Sequence, residues 1–194
     1  MSEFMMPVDE EFAPYDHQLA QLRVPPHSTE AESSVLGGLL LDNQAWDRVG
    51  DLLIESDFYR FEHRLIYAGI AKLVNASKPA DVITVYEHLQ SIGKSEEVGG
   101  LAYLNALAQY VPSASNIRRY AEIVRERAIL RKLVTASDEI ATNAFNPQGK
   151  PVDKILDEAE QKIFNIGEEG SRMKQGFQAM DTLVVDLLDR VQEM

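Results

Sequence analysis

Two Gly-Lys pairs are the residues of this chain whose type and spacing come nearest to a chemical motif. A phosphate-binding P-loop requires Gly, four residues and then Gly-Lys-Ser/Thr, so that backbone N–H groups surround the phosphates. Gly93-Lys94 and Gly149-Lys150 have His88 and Ala144 where the first glycine is required, so neither pair fits the motif. The sequence therefore predicts no nucleotide site and no other cofactor-binding residue in this chain.

The histidines are the next candidates for catalysis or metal binding. Their spacing is not that of zinc ligands; they are His17, His27, His63 and His88. Glu62-His63 lies on a predicted amphipathic helix and suggests acid–base chemistry, but the pattern supplies no third group to complete such a site. A structural or surface role is favoured for this pair, and the sequence predicts neither catalytic residues nor a metal site.

Composition limits the remaining classes of function. The 194 residues, 45% of them hydrophobic, suffice for one domain with a core and an appendage. The absence of cysteine excludes disulfides and thiol catalysis, and nothing contradicts a cytoplasmic location. No apolar run approaches the roughly 20 residues that span a bilayer, and the start lacks a signal-peptide pattern, so no membrane partner is expected. The net charge of −12 argues against general electrostatic capture of nucleic acid.

One basic segment stands out against this acidic background. It consists of Arg118, Arg119, Arg125, Arg127 and Arg131, with Lys132 beside them. One interpretation is a solvated helix with ion pairs such as Arg119–Glu122 and Glu122–Arg125. The other is an electropositive band that faces an acidic partner or DNA.

The spacing of apolar residues predicts an all-α fold. Residues 24–111 read as a small globule of short helices. Ser28 or Thr29 is expected to cap the first helix, and Thr29 and Glu32 have capping-box spacing. Gly37-Gly38 inside that helix indicates close packing by another helix.

Residues 112–167 are expected to form a long antiparallel helical hairpin, with helices over 116–144 and 151–166. A lone hairpin leaves apolar surface in water, so it must lie on the globule or pair with a second copy. The residues expected at an interface between copies are Tyr120, Val124, Ile155, Ala159 and Ile163.

The two ends of the chain differ in character. Residues 1–23 read as a disordered acidic tail, and 168–176 as a flexible linker. Residues 177–194 are predicted to form a separate amphipathic linker helix, which either folds back on its own domain or docks on a partner. Its apolar stripe comprises Phe177, Met180, Leu183, Val184, Leu187, Leu188 and Val191.

Several sequence words resemble the N-terminal domain of the bacterial replicative DNA helicase family, the DnaB type. They include Val-Pro-Pro-His-Ser-Thr-Glu-Ala-Glu-Ser-Ser-Val-Leu-Gly-Gly-Leu-Leu-Leu-Asp-Asn at 24–43 and Val-Gly-Gly-Leu-Ala-Tyr-Leu at 98–104. Pro-Ser-Ala-Ser-Asn-Ile at 112–117 and Tyr-Ala-Glu-Ile-Val-Arg-Glu-Arg-Ala at 120–128 belong to the same set. The resemblance covers about residues 24–194.

The resemblance implies a helical globule and hairpin, with hairpins paired so that three dimers form a hexameric collar. It implies that the collar binds primase and that the linker helix docks on the neighbouring subunit's motor domain. ATP and Mg²⁺ would belong to that motor, which has no counterpart here, and single-stranded DNA would be met only through the assembled ring. The alternatives are a free-standing helical adaptor that regulates a full-length helicase, and an enzyme with its own unrecognised site. A P-loop in the downstream reading frame would identify the chain as part of a helicase.

Overall fold

A computed structural model describes residues 24–111 and 113–171, and within these ranges the chain is all-α, as predicted. Seven α-helices, interspersed with three short 3₁₀ turns, make up the described part. They are α1 (Thr29–Leu41), α2 (Trp46–Val49), α3 (Phe61–Asn75), α4 (Val82–Ser91), α5 (Gly100–Gln109), α6 (Ile117–Phe145) and α7 (Val152–Ser171). None of these helices is long and apolar enough to cross a membrane.

Helix α1 begins at Thr29, three residues after the second of two consecutive prolines, Pro25 and Pro26. Ser28 is its N-cap, and the Ser28 hydroxyl accepts the backbone N–H of Ala31 at 3.2 Å. Thr29 is already the first helical residue, and Glu32 turns inward instead of completing a capping box. The predicted helix start is therefore right, whereas the predicted Thr29–Glu32 capping box is wrong because Glu32 is needed in the interior.

The glycine pair in α1 brings two other helices against it. A Cβ atom on Gly37 would lie 2.1 Å from the carbonyl oxygen of Leu107 in α5. A Cβ atom on Gly38 would lie 2.8 Å from the Cδ1 atom of Ile117 in α6. The Gly37 contact is with backbone and leaves no room for a side chain, whereas a side chain at Gly38 would require the end of Ile117 to move. The expectation that these glycines allow close helix packing is therefore confirmed.

Helix α4 resolves an ambiguity in the sequence, because its opening run is also compatible with a strand. The Asp81 carboxylate caps it by accepting the backbone N–H groups of Ile83 and Thr84 at 3.0 and 2.8 Å. The Thr84 hydroxyl in turn accepts the backbone N–H of Asp81 at 2.9 Å. This reciprocal cap satisfies N–H groups that a strand would have to pair elsewhere.

The core of the globule includes the first turns of α6. Ile117, Ala121 and Val124 are buried in the same cluster as the apolar face of α1. The predicted division between a globule ending at 111 and a hairpin beginning at 112 therefore does not coincide with an edge of the core. Only the later part of α6 projects from the globule as a hairpin arm.

The second arm of the hairpin, α7, continues further than the sequence pattern indicates. Its predicted range is 151–166, but the helix runs from Val152 to Ser171. The predicted flexible linker at 168–176 therefore begins within a helix, because Gly167 and Gly170 are tolerated there. The acidic tail at 1–23 lies outside the described residues.

Candidate functional site: the helical hairpin

The hairpin carries most of the exposed large apolar side chains in the described part of the chain. We call seven of them the hairpin face. They are Leu130, Leu133, Val134, Phe145, Val152, Leu156 and Ile163. Exposed fractions range from 39% at Leu130 to 85% at Phe145. Large exposed apolar patches mark interaction sites, so these side chains make the hairpin a candidate interface.

Helical spacing groups these residues into a stripe on each arm of the hairpin. Leu130 and Val134 are one turn apart on α6, and Val152 and Leu156 are one turn apart on α7. On α6 this stripe lies about 160° around the helix from Lys132, which pairs with Glu169 of α7. The α6 stripe therefore faces away from α7 and stays exposed, as does the stripe on α7.

The structure divides the predicted interface residues into two groups. Ile163 is 45% exposed on the hairpin face, and Ile155 and Ala159 are half-buried on α7. Val124 is only 1% exposed within the globule core, and Tyr120 packs against that core. Val124 is therefore corrected to a core residue, whereas half-buried Tyr120 keeps part of its surface exposed and its interface role stays a prediction.

The basic segment of α6 does not form the continuous electropositive band that was one of its two interpretations. Arg119 pairs with Glu122 at 3.1 Å, and Arg118 lies 3.5 Å from the same carboxylate. The expected Arg119–Glu122 pair is therefore present, whereas Arg125 pairs with Asp57 and not with Glu122 as expected. Arg127 is exposed, whereas Arg125 and Arg131 turn into the subunit.

Arg125 joins the globule to the end of the hairpin. Its Nη1 atom donates to the Oδ1 atom of fully buried Asp57 at 2.7 Å. Its Nη2 atom donates to the carbonyl oxygen of Glu169 at 3.2 Å. The other oxygen of the Asp57 carboxylate accepts the backbone N–H of Ile54 at 2.9 Å. One guanidinium thus holds the 3₁₀ turn at 55–57, α6 and the last turn of α7 together.

Arg131 holds the segment that enters the domain. Its guanidinium donates to the carbonyl oxygen of Pro26 at 2.7 Å and to that of Asp57. The Arg131 guanidinium also lies over the ring of Tyr59, 5.7 Å from its centroid. The His27 ring stacks on the same tyrosine, with the two ring centroids 4.2 Å apart. Burial lowers the pKa of Arg131 from its usual value.

His63 belongs to a buried network that the sequence pattern did not reveal. Its Nδ1 atom lies 2.6 Å from the Oε2 atom of Glu32, and its Nε2 atom lies 2.7 Å from the hydroxyl of Tyr103. Glu32 also accepts the backbone N–H of Tyr59 at 2.7 Å. Burial raises the pKa of Tyr103, which keeps its hydroxyl protonated.

The network links α1, α3 and α5, and His63 and Glu32 have no exposed surface through which a substrate could reach them. Glu62, the neighbour that the sequence pointed to, instead pairs with Arg60. The expectation that no third group exists is corrected, but the structural role predicted for His63 stands. No group of three or more metal-ligating side chains is present in the described ranges.

The stripe of the predicted linker helix, Phe177 to Val191, lies outside the described residues. In the described residues, the hairpin face is exposed apolar surface and the junction around Arg125 is a set of polar contacts between helices.

Comparison with known proteins matches residues 24–126 to the family described as "DnaB-like helicase N terminal domain". The replicative DNA helicase DnaB of Haemophilus influenzae is 44% identical over 176 residues, which is 91% of this chain and 38% of that protein. The DnaB of Geobacillus stearothermophilus is 34% identical over 90% of this chain and 38% of its own length. The chain thus spans about two-fifths of the curated relatives it matches.

Two solved structures have a similar fold. The N-terminal domain of DnaB helicase from Mycobacterium tuberculosis superposes with a TM-score of 0.69 at 37% identity, over 73% of this chain and 99% of that one. A DnaB-like replicative helicase, described with its interactions with primase, gives a TM-score of 0.61 at 21% identity, over 86% of this chain and 35% of that one. The second likeness concerns the fold alone.

Proposed function

Because this chain belongs to the DnaB-like helicase N-terminal domain family, we propose that it is the collar domain of a replicative DNA helicase. In this proposal it assembles subunits into a hexameric ring as three dimers and recruits primase during DNA replication. The observation that carries the assembly role is the hairpin face, a set of large apolar side chains that the described part of the chain leaves exposed.

Assembly through the hairpin face is tested by sedimentation of the chain at micromolar concentrations. We expect dimers or larger species that salt weakens little, because apolar burial drives the association. Ile163→Asp places a carboxylate on the hairpin face and should raise the dissociation constant at least about 100-fold, since an unpaired buried charge costs several kcal/mol.

Gln161→Asp is the matched control for this experiment. Gln161 is exposed two residues earlier on α7, about 200° around the helix from Ile163, and so points away from the hairpin face. The same carboxylate should leave association unchanged there. A wild-type chain that stays monomeric at tens of micromolar, or equal effects of the two variants, would contradict the proposed interface.

Primase recruitment is the second part of the proposal, and family membership supports it. A fold of the same kind occurs in a DnaB-like helicase described with its interactions with primase. Charge complementarity would mostly set the rate and register of binding, with an apolar centre supplying affinity. Calorimetric titration of this chain with the helicase-interaction domain of the cognate primase is the direct test.

We expect saturable binding that is tighter for the assembled chain than for the Ile163→Asp variant. The comparison isolates assembly, because that substitution lies on the hairpin face and away from the globule core. Binding to the isolated motor domain but not to this chain would show that the recruitment role is wrongly placed.

The remaining parts of the proposal concern regions beyond the described domain. The helix at 177–191 would dock on the motor domain of a neighbouring subunit, and that motor would use ATP and Mg²⁺. Single-stranded DNA would contact the collar only as it passes through the assembled ring. The protein would act in the cytoplasm, where a chain without cysteines needs no oxidising environment.

A further inference from the structure

A cleft of about 680 Å³ opens between the globule and the last turns of α7. Arg125 and Lys132 of α6 form its floor. Their charges are already engaged, by Asp57 in the globule and by Glu169 at the end of α7. The cleft is therefore a rigid feature of the globule–hairpin junction, and its floor has little charge left to attract an anion.

The walls of the cleft combine apolar and acidic groups. Ile54 on the globule side and Phe164 on the α7 side are 54% and 62% exposed, and both line the cleft. Asp51 and Glu168 stand at its rim, and neither forms an ion pair with another residue of the described ranges. A segment that fits must therefore offer apolar side chains flanked by positive charge.

We propose that residues 172–177 of this same chain occupy the cleft. The segment reads Arg-Met-Lys-Gln-Gly-Phe, so that Met173 lies between two cations. It begins directly after α7, whose last residue, Ser171, is three positions beyond Glu168. An extended chain advances about 3.5 Å per residue, which brings Met173 within about 7 Å of Ser171 and within reach of Phe164.

Charge and polarity match in detail between the cleft and this segment. Arg172 and Lys174 lie opposite the acidic rim, and Met173 fills the space between Ile54 and Phe164. A methionine suits such a site because its unbranched side chain adapts to irregular apolar gaps. Binding in the cleft sets the direction in which the chain leaves the domain, and so orients the stripe that starts at Phe177.

The cleft and the hairpin face do not compete with each other. Arg125 and Lys132 lie about 140 to 160° around α6 from Leu130 on the hairpin face, by their spacing of five and two residues. Pairing of two hairpins therefore leaves the cleft open to its own chain. The inference concerns contacts within one subunit and holds whether or not the chain recruits primase.

Disulfide trapping in the full chain tests the proposal, and the absence of native cysteines makes every bond assignable. Ile54→Cys with Met173→Cys is compared with Arg127→Cys with Met173→Cys. Arg127 lies between the two floor residues along α6 but is exposed on the opposite side of that helix. Equilibration in glutathione buffers gives the effective concentration of each thiol pair.

We expect the 54–173 pair to show an effective concentration at least about tenfold above that of the 127–173 pair. The bond should form within single chains, as denaturing gels without reductant would show. Equal values for the two pairs would overturn the proposal, because the segment would then sample both sides of the hairpin alike. Bonds formed mainly between chains would overturn it as well, by assigning the cleft to the segment of a second copy.

A charge exchange provides a second, independent measurement. Arg172→Glu with Lys174→Glu should lower the effective concentration of the 54–173 pair several-fold, since both carboxylates would face an acidic rim. Adding Asp51→Lys and Glu168→Lys should restore it. An effective concentration that ignores all four substitutions would contradict the charge complementarity on which the proposal rests.

Discussion

The globule and the outer part of the hairpin are both built from amphipathic helices, but the globule buries its apolar side chains and the hairpin leaves many of them exposed. In the globule, Leu36, Leu39 and their neighbours are fully buried. On the hairpin, residues of the same type, such as Leu133 and Leu156, remain 41% and 56% exposed. Within the described residues, the globule buries its apolar side chains, whereas the hairpin leaves many of its own exposed.

The polar groups of the two regions show the same contrast. Buried polar side chains of the globule, such as Glu32 and Asp57, have partners at hydrogen-bond distance, and none within the described ranges is left unsatisfied. Ion pairs on the hairpin, such as Lys162–Glu139, lie at the surface and contribute little individually. The difference predicts that substitutions in the globule mainly lower stability, whereas substitutions on the hairpin face mainly weaken the proposed association.

The largest expected effect comes from breaking the buried pair that joins the two regions. Arg125→Met should lower the free energy of unfolding by about 3–5 kcal/mol, because it leaves the Asp57 carboxylate buried without its cation. Arg127→Met, two residues along α6 on its exposed opposite side, should change it by less than about 0.5 kcal/mol. Urea denaturation of both variants provides the measurement.

A small loss from Arg125→Met would mean that Asp57 takes up a proton or finds another donor. The double variant Arg125→Met with Asp57→Leu tests whether the unpaired Asp57 charge causes the loss, because removing both charges should recover much of the stability. A double variant as unstable as Arg125→Met would show that the packing of the arginine stem, not the ion pair, holds the junction.

The next largest effect compares the same substitution in the two regions. Leu36→Ala should cost about 2–5 kcal/mol, since Leu36 is fully buried in the globule. Leu156→Ala should cost under about 1 kcal/mol in a dilute sample, because that side chain is already more than half exposed. Thermal unfolding at two protein concentrations would measure both.

Concentration dependence sharpens this comparison. If the hairpin face is an interface, Leu156→Ala should lower the melting temperature more at high protein concentration than at low, since association stabilises only the folded state. Leu36→Ala should act alike at both concentrations. An equal, large cost for both leucines at low concentration would mean that the hairpin face is covered within the subunit.

Much of the fold was predictable because it depends on local signals. Helix starts at Ser28 and Asp81 follow from capping side chains, and the close packing at Gly37-Gly38 follows from glycines inside an apolar helix. The hairpin was predictable from a long run without Gly or Pro followed by a short turn. These patterns act over a few residues, so the sequence displays them directly.

The parts that sequence reasoning missed depend on residues far apart in the chain. Asp57 and Arg125 are 68 residues apart, and Glu32 and His63 are 31 apart. Nothing in the local spacing shows which arginine of α6 bonds to the globule. The sequence therefore places Arg125 and Arg131 in the same basic segment as their exposed neighbours. For the same reason Val124 was assigned to an interface, since a two-sided helix does not reveal which side faces its own globule.

The smallest expected effect concerns a helix end within the globule. Hydrogen bonds from the backbone N–H of Thr84, with further bonds from its hydroxyl and from Ile83, hold the pKa of Asp81 below its usual value. A carboxyl group with a lowered pKa in the folded state stabilises the fold above the unfolded value of about 3.9, and this contribution is lost as the pH falls through the folded pKa.

Asp81→Ala should therefore cost about 1 kcal/mol at pH 7 and less below pH 4. Asp81→Asn keeps a capping oxygen without a titrating group, so its stability relative to wild type should improve as the pH falls from about 6 to about 3. Urea denaturation across that range measures both differences, and a gap between Asp81→Asn and wild type that stays constant with pH would show that the Asp81 charge contributes nothing to this cap.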